Sequence, residues 1–249
     1  MYKGFTVITL IPVFNEQAKI VSVLSRLPRE IIDEVAVLDD GSTDQSAEIA
    51  RQLGATVLSM EKRTGVGAAL RRGYHYALEK GYAISVTLAG NNKDAPEEIP
   101  LLLDPIVNGQ ADFVQGTRYG KRGTSFGPMP FYRRVAVRLH ARVFSLVVGH
   151  RVTDSTNGFR AFCTKILNHP DMDLSQQWLD HYELEVYLYI SAYKLGYRVV
   201  EIPVTKIYPP KNLGQTKMIP VIGWWSILRP LFYYNIRRKQ ERDKQFFNG

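Results

Sequence analysis

The 249-residue chain is 45% hydrophobic and 22% charged, which excludes a disordered protein and suffices for one large α/β domain, or a domain with an appendage, around a substantial core. Its single cysteine, Cys163, excludes an internal disulfide and fits a reducing cytosolic setting. The net charge of +8 is lopsided: residues 1–125 hold 14 Lys+Arg against 15 Asp+Glu (net −1) and residues 126–249 hold 18 against 9 (net +9), so the second half calls for an anionic partner such as nucleic acid, lipid headgroups or a phosphorylated substrate.

In chain order, TVITLIP predicts a strand followed by a helix from about Gln17, EVAVLDD a strand followed by a helix that Ser42 caps and Gly54 ends, and ATVLSM a strand before the helix AALRRGYHYALEKG. AISVTLA then precedes a helix opened by Pro96, and DFVQG is a fifth strand. This alternation implies right-handed βαβ units and a mostly parallel sheet flanked by helices. After residue 120 come a Gly/Pro-rich loop, KRGTSFGPMP, the basic amphipathic helix FYRRVAVRLHARVFSLVVG, and the return segment DSTNGFRAF. The helix ELEVYLYISAYKLG and the strand RVVEIPVT follow. The N-terminal MYKGFTVITLIPVF lacks a small-residue cleavage site and reads as the first strand rather than a signal peptide. MIPVIGWWSIL stops at Arg229, well short of the roughly 20 residues that span a bilayer, so no transmembrane helix is expected.

Ligands of open parallel sheets bind beyond the carboxyl ends of the strands, and the polar residues gather at that rim. Phe14, Asn15 and Glu16 follow the first strand, Asp39 and Asp40 end the second, Asn91 to Asp94 follow the fourth, and Thr117 and Arg118 follow the fifth. A turn such as IPVFNE can hold a base against Pro12 and Phe14 while Asp39 or Asp40 accepts from a ribose or base; alternatively Glu16 only opens a helix and Asp40 only shapes an Asp-Gly turn.

PVFNE, DDGSTD, the PEEIP after LAGNNKD, GTRY, GFRAF and EIPV stand in the order and spacing of family 2 glycosyltransferases. Over residues 5–218 the chain resembles the dolichyl- and polyprenyl-phosphate sugar synthases of that family. The resemblance implies a GT-A fold, a Rossmann-like sheet over residues 1–217 with an amphipathic tail at 218–249. It also implies inverting transfer of one sugar from a GDP- or UDP-linked donor to a polyprenyl or dolichyl phosphate. By resemblance, Pro12, Phe14, Glu16, Asp39, Asp40 and Gly67 hold the nucleotide-sugar; Leu70 stands where a dinucleotide fingerprint needs its third glycine. YPPKNLGQTKM resembles the family element RxxGxSKL that closes over the donor diphosphate, placing Lys211, Thr216 and Lys217 there.

The family's metal-binding segment, usually similar to DADGQHDP, aligns with residues 89–96, but Ala89 and Asn91 replace its two aspartates. Three readings follow. Asn91 and Asp94 hold Mg²⁺ or Mn²⁺ with help from the substrate phosphates; the ammonium of Lys93 takes the metal's place; or Lys93 is a solvated loop lysine in a weakly active nucleotide-sugar-binding protein.

On the acceptor side the resemblance points to Arg118 and Arg133, with Arg134, Arg138 and Arg122 nearby, whose forks suit phosphate oxygens. Asp154, in DSTNGFR, is the general base only if the acceptor is a glycan or other hydroxyl, because a lipid phosphate is already an anion at neutral pH. For that acceptor Asp154 orients the site or binds the sugar. Glu185 matches an acidic position of the family's late helix or is a solvent-facing glutamate. The five histidines lack zinc-ligand spacing, and His140 reads as a surface residue. In the tail, Trp224, Trp225, Phe232, Tyr233 and Tyr234 flanked by Arg237, Arg238 and Lys239 suit an element lying on an anionic leaflet, or one docked on its own domain or a second subunit. The expected setting is therefore the cytoplasmic face of a membrane, peripherally bound. No RNA-reading motif supports a nucleic-acid partner.

Overall fold

β1 (Val7–Val13) explains the plan of the molecule: Ile8 and Leu10 enter one apolar cluster, while Val7, Ile11 and Val13 enter another. A strand buried on both faces belongs at the centre of a sheet covered by helices on each side. The computed structural model describes residues 1–119, 131–208 and 223–234. Its sheet runs in the order β3 (Thr56–Ser59), β2 (Glu34–Asp39), β1, β4 (Ile84–Thr87), β6 (Arg160–Cys163), β5 (Phe113–Thr117), β7 (Val199–Pro203). Only β6 is antiparallel to its neighbours; all other pairs are parallel.

The first cluster joins α3 (Val66–Glu79), α5 (Phe131–Val148) and α6 (Glu183–Lys194) to the sheet, and the second joins α1 (Gln17–Ser25), α2 (Ser46–Gln52) and α4 (Ile99–Val107). Aromatic rings carry much of the first contact. Phe113 stacks on Phe162, its register partner across β5 and β6, with centroids 5.7 Å apart, and on Tyr189 of α6 at 5.3 Å.

Two helix starts differ from expectation. α2 begins at Ser46 because Asp44 accepts the Ser46 N–H, while Ser42 accepts from the Asn15 backbone and ties two loops together. Pro96 opens a 3₁₀ turn, Pro96–Glu98, which leads into α4.

Residues 223–234 are helical and lie on the body of the domain. Ile227, Leu231 and Tyr234 join the first cluster, and Arg229 pairs with the nearly buried Glu183 of α6 at 2.9 Å. His140 is not a surface residue: it is 2% exposed, with Nδ1 2.7 Å from Ser155 Oγ and Nε2 3.1 Å from the Ile227 carbonyl. Burial lowers its pKa, so it is a neutral link between α5 and the C-terminal helix.

Candidate active site

A cavity of about 910 Å³ opens at the carboxyl rim of the parallel strands. It brings together Pro12, Phe14, Glu16, Asp40, Asn91, Lys93, Arg118 and Arg133, residues drawn from five separate stretches of sequence. Their convergence follows from topology: β1, β2, β4 and β5 point the same way, so the loops leaving them share one end of the sheet.

Phe14 stands on one wall with the Arg63 guanidinium 4.2 Å from its ring centroid, a stacked arrangement suited to sandwiching a flat base. The two neighbouring aspartates take different tasks. Asp40 faces the cavity and accepts the backbone N–H groups of Thr64 and Gly65, the latter at 3.0 Å, at the head of α3. Asp39 is not part of the cavity wall; its carboxylate accepts the Ser42 N–H and shapes the loop. Gly67 is likewise outside the wall, and its missing side chain is explained by packing. A Cβ there would drive into the carbonyl oxygens of Leu179 and His181, so this glycine lets α3 approach the 179–181 segment.

The loop after β4 approaches β1 closely. Gly90 donates to the Pro12 carbonyl at 3.2 Å, and a Cβ on it would lie 2.6 Å from Val13 Cγ2. Asn92 adopts φ 57°, and Asn91 Oδ1 accepts the Lys93 N–H at 3.2 Å, so the turn closes on itself. It leaves Lys93 in the cavity wall at 7% exposure. Burial, then the nearby cations Arg133, Lys206 and Lys19, pull its ammonium down to about 8, with Glu16 opposing weakly.

Asp94 points elsewhere. It is 1% exposed, Oδ1 lies 2.5 Å from Lys206 Nζ, and Oδ2 accepts from the Ala89 backbone at 3.3 Å. Arg118 and Asp154 form a second closed pair: Nε and Nη2 donate to the two carboxylate oxygens at 2.6 Å each. The Arg118 backbone N–H donates to the same group at 3.0 Å. Burial alone raises the Asp154 pKa, but Arg118 reverses the sign and holds it below the usual carboxylate range. Asp154 is fully buried and bound on both oxygens, an arrangement that holds Arg118 in place. Arg118 itself still reaches the cavity wall.

Tyr208 organises the far wall. Its ring lies 5.7 Å from Lys93 Nζ and 6.0 Å from the Arg133 guanidinium carbon, and its hydroxyl accepts from Arg118 Nη1 at 3.2 Å. Tyr208 and Lys206 were missed in the sequence, although they follow the carboxyl end of β7, where the rule that found the other loops applies equally. Glu185 lines the cavity and pairs with Arg160 at 3.2 Å, so it is not a free surface glutamate. Trp224 and Ile227 complete the wall from the C-terminal helix. Arg122, Lys211, Thr216, Lys217, Arg237, Arg238 and Lys239 lie outside the described residues.

Glycosyl transferase family 2 matches residues 9–172 of the chain. The chain belongs to that family. It is an enzyme of the glycosyltransferase class, similar to the polyprenol monophosphomannose synthase of Mycolicibacterium smegmatis, 30% identical over 85% of this chain and 80% of that one. It is also similar to the undecaprenyl-phosphate mannosyltransferase of Micrococcus luteus (30%, covering 85% and 87%). The dolichyl-phosphate hexose transferase of Haloferax volcanii is a third relative (32%, covering 86% and 87%). Among solved structures, glucosyl-3-phosphoglycerate synthase from Mycobacterium tuberculosis, in complex with Mn²⁺, UDP and glucosyl-3-phosphoglycerate, superposes with a TM-score of 0.69 at 23% identity, over 92% of this chain and 80% of that one. At that identity the likeness establishes the shared GT-A architecture.

A metal such as those neighbours carry does not fit the side chains this glycosyltransferase presents. Where two aspartates would stand it has Ala89 and Asn91, and the one carboxylate of the segment is sealed against Lys206. Among the described residues no three His, Cys, Asp or Glu side chains come together as a metal-holding group. Hard divalent cations prefer carboxylate oxygens, and the residues of this segment that line the cavity include an amide, Asn91, and an ammonium, Lys93, but no carboxylate.

Proposed function

We propose that this glycosyltransferase moves one sugar from a nucleotide-sugar to a polyprenyl or dolichyl phosphate at a membrane surface. The observation that carries the reading is α5: the helix that supplies Arg133 to the cavity also exposes apolar side chains along one face. Phe131 is 80% exposed, Leu139 58% and Leu146 84%, and exposed Arg134, Arg138 and Arg142 are interleaved with them. Apolar side chains beside arginines suit insertion into the headgroup boundary of an anionic leaflet. Such docking delivers a lipid phosphate to the cavity mouth. The names of the relatives support the same acceptor class, and no helix among the described residues is long and apolar enough to cross a membrane.

In the reaction, a phosphate oxygen of the lipid attacks the anomeric carbon as the bond from that carbon to the donor diphosphate breaks. The leaving diphosphate takes the bonding electron pair, and the configuration inverts. The acceptor is already ionised near pH 7, so the step needs no base. That agrees with Asp154 being committed to Arg118. Phe14 and Asp40 hold the nucleoside end, and Arg118 and Arg133 the acceptor phosphate, so positioning and charge stabilisation carry the rate.

The test is a screen of UDP- and GDP-sugars against a short-chain polyprenyl phosphate and, in parallel, against 3-phosphoglycerate and simple glycans. A lipid-linked sugar monophosphate is the expected product. Turnover of only the water-soluble acceptors would reject the reading.

A further inference from the structure

We infer that this enzyme neutralises the donor diphosphate with its own cations, Lys93 first, instead of with a divalent metal such as the Mn²⁺ bound with UDP in the solved neighbour. The inference rests on the nucleotide-sugar reading above and concerns the chemistry of that same site.

Three observations converge. Lys93 occupies the turn where the metal-holding carboxylates would stand, and that turn is rigidly set: Gly90 is packed on β1 and Asn91 closes the loop onto the Lys93 N–H. The one carboxylate of the 89–96 segment is turned away from the cavity wall, because Asp94 is held by Lys206, which also reaches Asn157 Oδ1 at 3.1 Å. Asp94 is thereby neutralised by Lys206 and not by Lys93.

The third observation is the surrounding charge. After burial itself, the influences acting on Lys93 are headed by three other cations: Arg133 from α5, Lys206 from the segment after β7, and Lys19 from α1. Lys19 is tied to Glu16 at 2.8 Å, and Lys206 to Asp94. Lys93 and Arg133 both lie against the Tyr208 ring, whose π electrons attract each of them. Cations gathered in a mostly buried cavity raise the energy of the empty site, and an anion bound between them relieves it. A diphosphate that gains negative charge as the sugar leaves fits that description. Lys93 meets the leaving group, and Arg133 bridges toward the acceptor phosphate.

The experiment measures binding, not turnover. Protein stripped with EDTA is titrated calorimetrically with ADP, CDP, GDP, dTDP and UDP and the matching monophosphates, then again with excess MgCl₂ or MnCl₂. At least one diphosphate is expected to bind in EDTA, with an affinity that metal changes by less than about threefold. Lys93→Gln is expected to weaken that diphosphate by about 10- to 100-fold while changing the monophosphate little, and Lys93→Arg to retain most of the affinity. A tenfold or greater gain on adding metal overturns the inference on the unmodified protein alone, whatever the variants do. Unchanged diphosphate binding by folded Lys93→Gln overturns it as well. Binding that appears only with metal rejects this inference and leaves the nucleotide-sugar reading standing; no binding in either condition rejects both.

Discussion

Lys206 Nζ sits 2.5 Å from Asp94 Oδ1, and neither side chain is more than 10% exposed. The two residues are 112 positions apart, and an isolated bridge between them joins the loop after β4 to the segment after β7 across the cavity. Removing one member of such a pair strands a charge without water. Lys206→Met is therefore expected to cost about 3–5 kcal/mol in urea unfolding. A variant as stable as the parent would show that Asp94 is readily hydrated, and the sealed-carboxylate argument would fail with it.

Asp154→Asn separates two roles. A solvent-facing base contributes to rate and little to folding, whereas the anchor of a buried guanidinium contributes to both. Loss of the carboxylate leaves Arg118 buried and unmatched, so the urea midpoint should fall by an amount corresponding to about 3–5 kcal/mol. Normal stability combined with lost turnover would restore the base.

The pH dependence of diphosphate binding follows from Lys93, whose pKa is depressed to about 8 by burial and by Arg133, Lys206 and Lys19, against the weaker pull of Glu16. Only the ammonium form attracts the anion, so affinity should be level below about pH 8 and fall roughly tenfold per pH unit above it. In the unliganded protein the sign is opposite. The unfolded chain binds the Lys93 proton more tightly, so this residue favours folding at high pH, and that contribution is lost as pH falls through about 8. Calorimetric titrations from about pH 7 to about pH 9.5 check the binding limb, and Lys93→Arg should flatten it.

For α5, replacing Phe131, Leu139 and Leu146 together by serine should reduce sedimentation with anionic vesicles by about 100-fold or more, at roughly 1–2 kcal/mol per side chain withdrawn from the bilayer. Turnover of a water-soluble short-chain acceptor should be preserved, since none of the three lines the cavity. Equal vesicle binding by the variant would assign membrane contact to another surface or to none.

The parallel sheet was legible in the sequence because short β-rich runs alternate with helix patterns, and the rim of the site was legible because loops after parallel strands must share an end. What stayed hidden was pairing at long range. The Arg118–Asp154 bond spans 36 residues and His140 meets Ile227 across 87, so local pattern could report neither the closed pair nor the burial of the histidine. Asp94 is a similar case: as a residue in a polar loop it reads as available, and its partner, Lys206, comes from the segment after β7, 112 positions away. The two aspartates of VLDD were indistinguishable until the loop path turned Asp40 toward the cavity and Asp39 toward Ser42.

The placement of Trp224 and Ile227 in the cavity wall bears on how the enzyme is made. The sheet and the nucleoside-facing loops are built from residues before 204, whereas the last wall comes from the 223–234 segment. Only when the 223–234 segment arrives and Arg229 reaches Glu183 is the chamber enclosed. Enclosure of the chamber thus depends on that segment, and a chain cut before residue 223 would hold an open trough where this one holds a pocket.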